Sequence, residues 1–113
     1  DNIVDDRNKS LKIIARIRSN IKENISHDNR WKKFEENFDL VYVDFLKRLS
    51  EDYPQLTATE KKLCAYLKMG LSSKEIAPLL NITIRSVEMN RYRVRQKLGL
   101  HREDNLTDFL DRF

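Results

Sequence analysis

A chain of 113 residues with 40% apolar and 35% charged side chains fits one small folded domain with an appendage and argues against a disordered chain. Two glycines and two prolines leave few hairpin turns for an all-β fold, no apolar run reaches the roughly 20 residues that span a bilayer, and no secretory signal is present. The net charge of +4 is uneven: residues 1–54 hold 11 Lys/Arg against 11 Asp/Glu, while residues 55–113 hold 11 against 7. Residues 85–102 alone hold six cations against a single acid, Glu88. That concentration is the footprint of a polyanion-binding surface, with a merely solvated helix face as the other reading.

The chain begins at Asp1 without a Met, which fits a piece of a longer protein. Residues 8–25 place Leu11, Ile14, Ile21 and Ile25 on a roughly seven-residue repeat, interrupted by Arg18 and widened by Ile13 and Ile17. The spacing predicts an amphipathic connector or a weak coiled coil of about two heptads, here bounded as residues 1–27. "SHDNRW" then supplies a stop and a new cap. Trp31, Phe34 and Phe38 follow on one face of a short helix, and "VYVDFLKRLSEDY" predicts another that presents Phe45, Leu46 and Leu49 and ends before Pro54. Residues 28–54 thus read as a short helical segment leading into the last part of the chain, residues 55–113.

In "LTATEKKLCAYLKMG", Thr57 and Glu60 have capping-box spacing, Leu63, Cys64 and Leu67 form the apolar face, and Gly70 suits the position after the helix. Cys64 is the only cysteine, so it forms no internal disulfide, and with the distant His27 and His101 it makes no metal cluster. It reads as a small buried side chain in a reducing, cytoplasmic setting, and neither a metal nor a cofactor is expected. Ser72 and Glu75 open a second helix with Ile76, Ala77 and Leu80 inward. Pro78 should kink it and Asn81 can end it in the left-handed conformation. Thr83 opens a third helix, with Ile84, Val87, Val94 and Leu98 as its buried stripe and Gly99 at its close. "REDNLTDFLDRF" predicts a last short helix with Leu106, Phe109, Leu110 and Phe113 on one side.

Projected at about 100° per residue, the third helix groups Val87, Val94 and Leu98 on one side. Arg85, Glu88, Met89, Tyr92 and Gln96 lie opposite, flanked by Arg93 and Arg95. Any cation can hold a phosphate, but reading bases calls for directional groups in a groove wide enough for one helix. A carboxylate can accept from a cytosine amino group, and Met89 or Tyr92 can pack on a thymine methyl. Glu88, Met89 and Tyr92 are therefore the candidate base readers. Arg85, Arg93, Arg95, Gln96 and Lys97 are candidates for the phosphate or groove rim. The competing reading pairs Glu88 with Tyr92, Arg85 or Arg91 on the protein's own surface.

Two helices joined by the short "NIT" turn match a helix-turn-helix. From Leu56 the chain carries Leu56-Thr57 with Glu60, Gly70-Leu71-Ser72, Lys74-Glu75-Ile76-Ala77, Ile82-Thr83, Val87 and Lys97-Leu98-Gly99. In these motifs it resembles the LuxR/GerE-type DNA-binding domain. It implies an all-α, four-helix domain over about residues 55–113, acting as a transcriptional regulator and often dimeric through its last helix. It also implies base contacts at Glu88, Met89 and Tyr92, and phosphate contacts around Ser72, Ser73 and Lys74, where a helix N-terminus favours an anion. The family commonly carries a basic residue where Glu88 stands, often a His where Asn90 stands, and a charged residue where Pro78 stands, so its specificity is not carried over.

The expectation is a sequence-specific regulator of double-stranded DNA, cytoplasmic or tethered to the membrane in a longer parent. It would be a homodimer through Leu106, Phe109, Leu110 and Phe113, would engage the transcription machinery, and would follow an upstream sensor region. Residues 31–57 are similar, less specifically, to a segment preceding this domain in some large sensor-regulators. An enzyme is disfavoured, since both glycines end helices and no nucleophile–base–acid set exists. A sigma-factor promoter-binding domain would need polymerase-binding regions that this chain lacks, and membrane binding through the basic helix is opposed by its buried side. The alternative from another class is an interaction module, a coiled-coil stalk with a basic domain that binds an acidic protein.

Overall fold

The computed structural model describes residues 27–113, which form six helices and, among those residues, no strand. The expected connector helix over residues 8–25 lies outside the described residues. The chain divides into two compact units at Asp44/Phe45. The boundary anticipated at 54/55 therefore falls inside the second unit.

In the first unit, α1 (His27–Val41) and Tyr42 just after it carry an aromatic ladder, Trp31, Phe34, Phe38 and Tyr42, whose successive ring centroids lie 5.4, 5.3 and 5.0 Å apart. Phe34 and Phe38 are fully buried and Trp31 is half-buried. The segment read as one helix from Val41 is interrupted. Asp44 takes a left-handed φ of 63°, so α2 begins only at Phe45 (Phe45–Asp52). Asp tolerates that conformation because its short polar side chain can bond locally.

The second unit is α2 with α3 (Ala58–Lys68), α4 (Ser73–Leu80), α5 (Ile84–Lys97) and α6 (Leu106–Arg112). The central helix, α3, packs on each of the other four. Its Leu63, Cys64, Tyr66 and Leu67 are buried and meet a core that includes Phe45, Leu49, Ile76, Val87, Val94 and Leu110. Each such side chain removed from water contributes about 1.5–3 kcal/mol, which is what orders helices as short as seven or eight residues. Burial also pushes the Cys64 thiol up to about 12.

Helix ends are set by local chemistry. Both capping boxes form: Thr57 with Glu60, and Ser72 with Glu75. Thr83 and Asn105 cap α5 and α6 through Ser86 and Asp108 N–H. Three helices close in the same way, through a left-handed residue. After Gly70, Asn81 and Gly99, the N–H groups of Leu71, Ile82 and Leu100 return to the carbonyls of Tyr66, Ala77 and Arg95. Helix α4 runs on through Pro78, which is exposed, to Leu80.

Candidate nucleic-acid interface

Helices α4 and α5 are joined by Asn81-Ile82-Thr83. Asn81, at φ 57° and ψ 44°, stops α4, and Thr83 starts α5 two residues later. This three-residue turn holds α5 against both α4 and α3. The geometry is that of a helix-turn-helix, with α5 as the second helix of the pair.

The inward side of α5 is Val87 and Val94, both fully buried, with Leu98 just beyond it. Ile84, expected in this stripe, is instead 49% exposed. It sits in the first turn, about 60° around the helix from Val87, which puts it at the margin of the contact. Asn90 closes one edge of the stripe by donating to the Ser86 carbonyl at 2.9 Å.

On the outer side, Arg85, Glu88, Met89, Tyr92, Arg93 and Gln96 line one shallow cavity of ≈ 440 Å³. Met89 and Tyr92 are 51% and 63% exposed, unusual for side chains of their size. Gln96 Nε2 donates to Tyr92 Oη at 3.0 Å. Glu88 Oε2 lies 3.9 Å from Arg91 Nε, so of the three partners considered for it Arg91 is the neighbour. At that length the contact is no hydrogen bond, and an exposed pair of this kind contributes about 0–1 kcal/mol. Glu88 is not committed to it.

Two cations expected on the rim are drawn into the fold. Lys97 Nζ lies 2.6 Å from Glu60 Oε1, and Glu60 is only 2% exposed. Burial drives the Glu60 carboxyl up, but the Lys97 hydrogen bond, the Thr57 N–H and the Lys97 charge outweigh it and hold it below its ordinary value. Arg95 spans the loop before α6, donating to the carbonyls of Asp104 at 2.6 Å, His101 at 2.7 Å and Arg102 at 3.3 Å. Sequence reasoning took Glu60 as a cap alone and missed its second role. An acid in the first turn of one helix and a lysine in the last turn of another carry no pairing signal until both are seen to flank one core.

At the start of α4, Ser72 accepts from Glu75 N–H and donates its own N–H to Glu75 Oε1 at 3.0 Å. The capping box thus occupies the Ser72 N–H and one lone pair of its Oγ, and leaves the hydroxyl proton as the Ser72 donor for a phosphate. The N–H groups of Ser73 and Lys74, in the first turn, have no acceptor within the helix, and the Lys74 side chain is exposed.

On α6, Leu106 and Leu110 are buried in the unit's own core, which removes them from the set of four expected to face a second copy. A helix of seven residues packed on α3 presents its strongest apolar positions to that neighbour first. Phe109 and Phe113 remain half-buried in an aromatic group with Tyr53 and Phe45, at centroid distances of 5.8–6.3 Å. Arg48 donates to the Phe113 carbonyl at 2.6 Å and lies 5.4 Å from its ring centroid. Lys68 donates to the Leu110 and Asp111 carbonyls at the end of α6, and burial lowers its pKa.

No helix among the described residues is long and apolar enough to cross a membrane. The family model for bacterial regulatory proteins of the luxR family matches residues 54–110. The tetrathionate response regulatory protein TtrR of Salmonella typhimurium is 36% identical over 61 residues, which make up 54% of this chain and 28% of that protein. The chain therefore spans well under half the length of this curated relative. No solved structure gives a significant match. With the helix-turn-helix in place and half of its residues covered by the family model, this chain belongs to the luxR family of bacterial regulatory proteins.

Proposed function

We propose that this chain is the DNA-binding output end of a larger sensor-regulator and controls transcription by reading a specific double-stranded site. Helix α5 enters the major groove. Glu88, Met89 and Tyr92 face base edges, and Arg85 and Arg93 hold the flanking phosphates together with Lys74 and the N–H groups at the start of α4. Arg95 and Lys97 serve the fold rather than the groove. The observation that carries the reading is the outer face of α5. A carboxylate, a thioether, a phenol and an amide share one shallow cavity there, with two arginines beside them. A surface needing only charge has no use for that mixture.

The regulator acts as a homodimer through the outer side of α6, where Phe109 and Phe113 stay half-exposed. A response-regulator relative supports a parent protein in which an upstream input acts through this domain on the transcription machinery. Its setting is the cytoplasm, free or tethered through that parent.

Selection of binding sites from random duplex DNA, at near-physiological salt with excess competitor, tests the reading. A recovered motif, above all a two-fold repeat whose spacing reports the dimer, is the expected outcome. Binding without any motif, vanishing steeply as salt rises, would instead favour a basic module for an acidic protein partner.

A further inference from the structure

Tyr92 and Gln96 form a hydrogen-bonded pair on the outer face of α5 whose pattern a phosphate-rim role for Gln96 leaves unused. Gln96 Nε2 donates to Tyr92 Oη at 3.0 Å, one turn apart, with both side chains exposed. A phenol oxygen has one proton and two lone pairs, and an amide has one carbonyl acceptor and two N–H donors. The bond uses one lone pair of Tyr92 and one N–H of Gln96. Of the groups left, which also include the second Gln96 N–H and the second Tyr92 lone pair, the Tyr92 O–H and Gln96 Oε1 offer one donor beside one acceptor. Accepting from the amide also polarises the phenol and strengthens it as a donor. Turning the amide over exchanges the roles but again leaves one donor beside one acceptor.

Of the base edges in the major groove, adenine alone shows an acceptor, N7, beside a donor, the N6 amino group. Guanine shows two acceptors, cytosine an amino donor, and thymine an acceptor with a methyl. The outward pattern of the pair is complementary to adenine. Met89, 51% exposed, lies on the same face nearer the start of the helix and lines the same cavity. Its thioether has no directional bond to offer a phosphate and suits a methyl group.

We infer that Tyr92 and Gln96 together read one adenine as a unit, with Met89 packed on a thymine methyl nearby, so that each half-site contains A·T pairs beside the pair faced by Glu88. The inference rests on the major-groove placement of α5 proposed above. It moves Gln96 from the rim to the base-reading set.

The test uses a duplex recovered by site selection. Each adenine in turn is replaced by 7-deazaadenine, which keeps pairing but lacks the N7 acceptor, and each thymine by uracil, which lacks the methyl. One 7-deazaadenine position should lose about ten-fold in affinity. Tyr92→Phe, Gln96→Ala and the double variant should each lose that sensitivity, to the same extent. Since both side chains are exposed, the variants should keep the parent's circular dichroism and melting temperature. A recovered motif with no sensitive adenine, or losses that simply add in the double variant, would overturn the unit while leaving DNA reading intact. Failure to recover any motif would overturn both.

Discussion

Replacing Lys97 by Met should destabilise the second unit while leaving its interaction with DNA phosphates unchanged. Glu60 is 2% exposed, and its carboxylate receives the Lys97 ammonium at 2.6 Å and the Thr57 N–H at 2.8 Å. Removing one partner of a buried pair costs about 3–5 kcal/mol when the remaining charge is fully stranded. Here Glu60 keeps its Thr57 bond, and the Lys97 side chain is 30% exposed, so solvent already screens part of the attraction. A loss of about 2 kcal/mol is expected, roughly a 10 °C fall in Tm for a unit of this size. The pH dependence gives a sharper criterion. In the parent chain Glu60 is held below its ordinary pKa, so its stabilisation is complete above the unfolded carboxylate's pKa and fades as pH falls through the folded one. In Lys97→Met the lowering influences of the ammonium are gone and burial, the largest influence on this group, leads. The carboxyl then moves up from where the parent holds it, opposed only by the Thr57 bonds that remain, so less of its stabilisation at neutral pH is left to fade towards acid. Thermal unfolding followed by circular dichroism from pH 3.5 to 7.5 should show the gap between parent and variant narrowing towards acid. A constant gap, or a variant as stable as the parent at neutral pH, would refute the assignment of Lys97 to the core. So would a fall of about one unit in the salt slope of DNA binding, the signature of a lost phosphate contact.

Arg93→Ala should show the opposite pattern: unchanged melting, weaker binding to specific and random DNA alike, and a salt slope lower by about 0.9, read from titrations at several salt concentrations. Arg95→Ala removes the side chain that gathers the His101, Arg102 and Asp104 carbonyls, and should cost about 1–2 kcal/mol. Hydrogen exchange should speed up in the 100–105 loop and α6 more than in α4, and uniform acceleration would count against a local role. Cys64, buried and with its thiol pushed up to about 12, should react with thiol reagents at pH 8 only as fast as the unit opens. Labelling that tracks denaturant-induced unfolding checks this, and rapid labelling of the folded chain would contradict it.

Much of the second unit was legible because its punctuation is local. Thr57 with Glu60, Ser72 with Glu75, and Thr83 mark helix starts by side-chain chemistry that operates within four residues. Gly70, Asn81 and Gly99 mark the ends by a backbone conformation that few other residues accept. What escaped depends on partners distant in sequence. Periodicity placed Ile84 with Val87, but how far α3 and α4 reach along α5 decides which residue is covered. Leu106 and Leu110 looked available because α6 was read alone, and only the packing of α3 shows them spent on the core. The break at Asp44 was hidden because Tyr42, Phe45 and Leu49 keep a helix-like apolar spacing across it.

The same distinction governs the charge. Residues 85–102 hold six cations against one acid, and the sequence offers no means of ranking them. The fold does. Lys97 and Arg95 are bound to groups 37 and 6–9 residues away, Lys97 to the buried Glu60 carboxylate and Arg95 to the carbonyls of the loop before α6. Arg91 sits beside Glu88 at the margin of the outer face. Arg85 and Arg93 stand in the cavity with the polar side chains of α5. A charge count over this helix therefore overstates the cations that can meet a phosphate. With Arg95 and Lys97 withdrawn, the outer face of α5 depends on directional groups more than its composition suggests. Its discrimination between sites should accordingly rest on Glu88, Met89, Tyr92 and Gln96 and resist moderate salt, while the arginines set how tightly any duplex is held.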